Sequence, residues 1–122
     1  MVEPRPIIVV VDDDEDIRRA LPRLLRSAGF EAIAFASAED YLASMSESHV
    51  DCLILDVRLP GQSGIELHQR LIDEKHDVPT IIMSAHENEL SRARSTATDL
   101  VDCLRKPFDV EQLLDAVQKA LA

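Results

Sequence analysis

The sequence predicts one α/β domain, a doubly wound five-stranded parallel sheet with five helices, and three observations carry that prediction. Five short apolar runs alternate with five stretches of helical periodicity, with no internal repeat and no low-complexity segment. The first run, Ile7-Ile8-Val9-Val10-Val11, is β-branched throughout, as a strand covered on both faces requires. Chemistry-bearing side chains directly follow four of the five runs, at the carboxyl ends where open parallel sheets carry their ligands.

The first strand runs straight into Asp12-Asp13-Asp14-Glu15-Asp16. Two carboxylates about 4 Å apart repel by roughly 4 kcal/mol at an effective dielectric near 20, a cost that a divalent cation reverses. The competing explanation is the solvated first turn of a helix, where the macrodipole favours acids. Ile17, Leu21, Leu24, Leu25 and Ala28 then repeat at helical spacing until Gly29. Pro22 inside this helix predicts a kink or a late start, because its ring clashes with the Arg18 carbonyl. Residues 30–36 form a second strand, and Ser37 opens a helix with Tyr41, Leu42 and Met45 on one face and Asp40 completing an approximate capping box.

Residues 50–55 form the third strand, which ends in a single acid, Asp56. A loop rich in Pro and Gly follows over 58–64, and Ser63 with Glu66 caps a helix that runs to about Lys75. Residues 78–83 give a fourth strand ending at Ser84. The helix expected over 86–98 has few large apolar residues, chiefly Leu90, and is the element most ready to move. Residues 100–104 form the fifth strand, with Arg105 and Lys106 before Pro107, and Val110, Leu113, Leu114, Val117 and Leu121 give the clearest helical stripe.

Composition narrows the function. A chain of 122 residues is one domain with room for a core. A net charge of −10, no basic stripe and only three Phe, one Tyr and no Trp argue against direct nucleic-acid binding. Cys52 and Cys103 match no metal or redox spacing and read as reduced core residues of a cytoplasmic protein. The N-terminal segment carries little positive charge, and the apolar stretch after it is too short for a signal peptide or a membrane span. His49, His68 and His76 have no ligand spacing and read as surface residues.

Asp12, Asp13, Asp56, Ser84 and Lys106 all fall at matching strand ends. In the flavodoxin-like strand order 2-1-3-4-5 the first and third strands flank the switch point, so the three acids converge on one crevice. Taken singly, each has a plainer explanation as a helix cap or a surface charge.

Together, Val10-Val11-Asp12-Asp13-Asp14, Leu55-Asp56-Val57-Arg58-Leu59-Pro60-Gly61 with Ser63-Gly64, Met83-Ser84-Ala85 and Lys106-Pro107-Phe108 resemble the response-regulator receiver domain of two-component signalling, over essentially the whole chain. Residues 37–42 also resemble the nitrogen-fixation-regulator-like subgroup. The resemblance implies that Asp56 accepts a phosphoryl group from a sensor histidine kinase or phosphotransfer protein. It implies Mg²⁺ (or Mn²⁺) on Asp13, Asp56 and the Arg58 backbone carbonyl, with Asp12 acting through water. Ser84, Ala85 and Lys106 would receive the phosphoryl oxygens. General chemistry agrees: Mg²⁺ takes a few carboxylates plus waters, and a transferring phosphoryl group needs its equatorial charge neutralised.

The resemblance further implies a phosphorylation-dependent homodimer through helix 4, strand 5 and helix 5, and a single receiver domain over 1–122, alone or as the N-terminal part of a longer regulator. Arg58 and His86, each two residues beyond a site residue, are candidate modulators of phosphoryl lifetime. His86 reads more simply as a helix-start residue than as a general base. Two positions depart from the family pattern. Cys103 stands where an aromatic switch residue is usual, so Ser84 has no ring partner to follow it, and Asp99-Leu100 replaces a Gly-Ala.

Three other readings compete. A metal-dependent aspartyl phosphatase would share the acids, Ser and Lys, but would need a second Asp where Arg58 stands and a cap domain to enclose a substrate. A flavin binder would need aromatic and Ser/Thr-rich loops, and a receiver lacking phosphoacceptor chemistry would have lost part of the acid, Ser and Lys set that is present here.

Overall fold

The computed structural model describes residues 4–45, 48–96 and 99–122. The order of elements is β1 (Ile7–Val11), α1 (Glu15–Ser27), β2 (Glu31–Phe35), α2 (Ala38–Met45), β3 (Cys52–Asp56), α3 (Gly64–Asp73), β4 (Thr80–Ser84), α4 (Glu87–Thr96), β5 (Leu100–Arg105) and α5 (Val110–Leu121). All strand pairs are parallel and the sheet order is β2-β1-β3-β4-β5, as expected. The side chain of Met45 and residues 97–98, the end of the expected fourth helix, lie outside the described residues.

Strand alternation divides the core in two. Ile8, Val10, Cys52, Ile54, Ile81 and Met83 face α1 and α5, where they meet Leu21, Leu25, Leu113 and Val117. Val9, Val11, Leu53, Leu55 and Ile82 face the opposite way, onto Ala38 and Tyr41 of α2, Leu67 and Leu71 of α3, and Leu90 and Ala93 of α4. With both faces covered, the middle strands have no solvent-facing side, which accounts for the consecutive apolar residues 7–11 in β1, 52–55 in β3 and 81–83 in β4.

Several local expectations are corrected. Helix α1 does not start late: it begins at Glu15 and runs unbroken through Pro22, which is buried between Leu21 and Leu25. The start is fixed upstream of the proline, by the Asp14 carboxylate accepting the Asp16 N–H at 2.8 Å, with Glu15 and Asp16 in the first turn. The third strand begins at Cys52; Asp51 instead accepts the Ile7 N–H at 2.7 Å through its carboxylate, and that bond holds its pKa below the usual range.

His68 is no surface residue. It is buried on α3, because 64, 67, 68 and 71 form one helical stripe and that stripe faces the sheet. Cys103 is only half-buried, since β5 is an edge strand, whereas Cys52 is fully enclosed. Asp99, at the departure from Gly-Ala, adopts φ +65°, so the turn keeps a left-handed geometry that glycine would fill more easily.

Candidate functional site

The crevice forms where β1 and β3 end side by side. Asp12 continues the ladder past β1 by donating its N–H to the Phe35 carbonyl at 3.0 Å, and this draws its side chain wholly out of solvent. One Asp12 carboxylate oxygen accepts the Asp14 N–H at 2.9 Å and the other accepts from Lys106 Nζ at 2.6 Å. Asp13 is exposed at the mouth, and Arg18 holds its carbonyl from α1 at 2.7 Å. Asp56, last residue of β3, is buried, with an oxygen 3.2 Å from Lys106 Nζ. Ligand atoms of Asp12, Asp13 and Asp56 all lie within 4.8 Å of one another.

Backbone close to the site is equally constrained. The Lys106 N–H donates to the Ser84 carbonyl at 2.8 Å, which fixes the ends of β4 and β5 together, and the Lys106–Pro107 peptide bond is cis. Gly64 opens α3 directly under the phosphoacceptor candidate: a Cβ there would lie 2.2 Å from the Asp56 carbonyl oxygen, so only glycine permits this approach. Helix α3 is locked in place by the Ser63 and Glu66 capping box expected from the sequence.

The electrostatics follow from this crowding. Burial, and then the negative charge of Asp12, push the Asp56 carboxyl up to about 6 against the opposing pull of Lys106. Burial works against the Lys106 ammonium, yet its contacts with Asp12 and Asp56 outweigh that and raise its pKa above the ordinary value. Three carboxylates against one ammonium leave about two negative charges uncompensated, a donor set and charge suited to one hard divalent cation.

Of the residues singled out in the sequence, the structure gathers Asp12, Asp13, Asp56 and Lys106 into one cluster. Ser84 is at the rim and buried, but its hydroxyl is directed toward α4, where it donates to Glu89 Oε1 at 2.5 Å and accepts the His86 N–H at 3.0 Å. Ala85 is exposed and lines an apolar groove of about 410 Å³ with Ile17, Leu21, Lys106, Pro107 and Phe108. His86 is exposed and its carbonyl accepts the N–H groups of Glu89 and Leu90, so it starts α4 as expected. Cys103 lies on β5 with Arg94 and Asp102 nearby, and burial raises its thiol pKa.

Sequence reasoning missed Glu89. Its second carboxylate oxygen accepts from Arg58 Nε at 2.9 Å, which links the loop after Asp56 to the first turn of α4. Burial opposes its ionisation, but bonds from Ser84 and Arg58 prevail and hold its pKa below the usual range. The available signal was slight: an acid in the first turn of a helix with little apolar content, five residues beyond Ser84.

Comparison with known proteins agrees with this geometry. The profile of the response regulator receiver domain matches residues 8–118. Nodulation protein W of Bradyrhizobium diazoefficiens is 40% identical over 116 residues, covering 95% of this chain and 51% of that protein. The response regulator protein TodT of Pseudomonas putida is 35% identical over 121 residues, covering 99% of this chain and 53% of that protein. The chain thus spans about half the length of these curated relatives. Among solved structures, FixJ-N superposes with a TM-score of 0.85 at 29% identity, covering 99% of this chain and 95% of that one. With its sheet order and acidic crevice in place, the chain belongs to the response regulator receiver domain family of two-component signalling.

Proposed function

We propose that Asp56 is the phosphoacceptor of this receiver domain, and the observation that carries the reading is the cluster of Asp12, Asp13, Asp56 and Lys106 at adjoining strand ends. An Asp56 carboxylate oxygen attacks the phosphorus of a phosphohistidine, the P–N bond breaks with its electron pair passing to the imidazole, and an acyl phosphate forms. Lys106, already 3.2 Å from Asp56, is positioned to neutralise a phosphoryl oxygen, and small Ala85 leaves the approach open. Asp13, Asp56 and the Arg58 carbonyl would hold Mg²⁺ (or Mn²⁺), with Asp12 acting through water. The bound ion would offset the repulsion between the acids and an incoming phosphoryl group.

The donor is a sensor histidine kinase or phosphotransfer protein in the cytoplasm, and phosphorylation favours a homodimer through the α4, β5 and α5 face. Arg58 and His86, on the two sides of the crevice, tune the access of the water that hydrolyses the acyl phosphate. Residues 1–122 act as one receiver domain, alone or joined to an output domain. The acid charge of the chain and the absence of a basic stripe favour protein contacts over direct nucleic-acid contact.

Intact mass after treatment with acetyl phosphate and Mg²⁺ tests the assignment. Wild type should gain one phosphoryl group and Asp56→Asn none; undiminished uptake by the variant would overturn it. Metal titration adds a second reading of the site. Asp13→Ala should abolish Mg²⁺ binding while Asp14→Ala leaves it intact, because the Asp14 carboxylate is engaged in capping α1.

A further inference from the structure

We propose that Glu89 is a positioning residue: it holds the Ser84 hydroxyl away from Asp56 until a phosphoryl group competes for it, and Arg58 sets the strength of its grip. The inference rests on the reading of Asp56 as the phosphoacceptor. The Ser84 hydroxyl has a single hydrogen to donate, so it serves either Glu89 or an oxygen on Asp56, never both. At 2.5 Å its bond to Glu89 is a short, charge-assisted one. The acceptor is itself constrained: the Glu89 side chain is only 15% exposed and Arg58 clamps its other oxygen at 2.9 Å. Arg58 stands two residues beyond Asp56, so the clamp ties the phosphoacceptor loop to α4 across the crevice.

Release of Ser84 leaves a largely buried carboxylate held through its other oxygen by Arg58, beside an incoming negative charge. The first turn of α4 then has reason to shift, and its two buried residues, Leu90 and Ala93, offer little resistance. Thus Glu89 supplies for this chain a coupling from hydroxyl to helix that needs no aromatic side chain at Cys103. The His86 N–H, which donates to the Ser84 hydroxyl at 3.0 Å, reports where that hydroxyl points.

The test is a beryllofluoride titration with Mg²⁺, followed by affinity and by the ¹H–¹⁵N signal of the His86 amide. In Glu89→Ala the unliganded His86 signal should move toward its position in beryllofluoride-bound wild type, and beryllofluoride should bind roughly tenfold tighter, the loss of one charge-assisted bond. In a Ser84→Ala background the same substitution should change affinity by less than about twofold. Glu89→Gln keeps the shape and one acceptor oxygen, so it should give a smaller gain in the same direction and serves if the alanine variant fails to fold. Unchanged affinity with an unmoved His86 signal overturns the latch. A full gain in the Ser84→Ala background also overturns it, by showing that the Glu89 charge acts directly on the anion. Failure of wild type to bind beryllofluoride would overturn the phosphoacceptor reading and the latch together, whereas binding by wild type with no effect of Glu89 overturns the latch alone.

Discussion

Helices α4 and α5 pack near the same edge of the sheet but are held there by different forces. Helix α5 buries Leu113, Ala116, Val117 and Ala120 and is closed by a reciprocal capping box between Asp109 and Gln112. Helix α4 buries only Leu90 and Ala93, and its first turn is tied to the crevice through Glu89, Ser84 and Arg58. Its outer contacts, Arg94 and Arg105 on Glu87, are half-exposed ion pairs, each worth at most about 1 kcal/mol. A helix fixed by apolar burial stays put when the chemistry of the crevice changes. A helix fixed by polar bonds to the crevice has its anchor altered by that chemistry.

The largest expected effect separates the two helices directly. Leu113→Ala, on the buried face of α5, should lower the unfolding free energy by about 3–4 kcal/mol in urea denaturation. Leu90→Ala should cost about 2 kcal/mol, because α4 has few other buried contacts and can settle into the space. A cost for Leu90 equal to that for Leu113 would break the comparison.

A somewhat smaller effect concerns the acids that the rigid side of the crevice forces together. Burial pushes the Asp56 carboxyl up to about 6 from its ordinary 3.8, so between those values the folded chain keeps a proton that the unfolded chain has released. Stability from this group is therefore greatest below about pH 4, falls as pH rises to about 6, and stays lower above that. In metal-free buffer at pH 7, Asp56→Asn should stabilise the protein by about 2–3 kcal/mol, and the gain should vanish near pH 4. Thermal melts of both proteins at the two pH values check this, and a gain independent of pH would point to packing instead of charge.

The smallest effect lies at the entry to β5. Asp99 holds φ +65°, and Asp99→Gly should raise stability by about 0.5–1 kcal/mol by relieving that conformation. A loss of stability would mean that the Asp99 side chain contributes more to this turn than its backbone costs.

The sheet and the acid cluster were legible in the sequence because both follow from position. Unbroken apolar runs mark strands covered on two faces, and a residue directly after such a run has only the carboxyl end of the sheet to occupy. What escaped depended on direction within an element. His68 looked like a surface residue until α3 turned 64, 67, 68 and 71 inward. Ser84 was correctly placed at a strand end, but which way its hydroxyl points depends on Glu89, a partner that no spacing rule singles out. Pro22 suggested a kink or a late helix start, but the Asp14 cap fixes the first turn of α1 well upstream of it, at Glu15.

Hydrogen exchange with and without beryllofluoride and Mg²⁺ tests the contrast between the helices most directly, since it reads both in one sample. Exchange should change in α4 and at its junction with β5, over residues 86–105, while α5 and the buried face of α1 keep their protection. Change confined to α1 and α5, with 86–105 unaltered, would contradict the account.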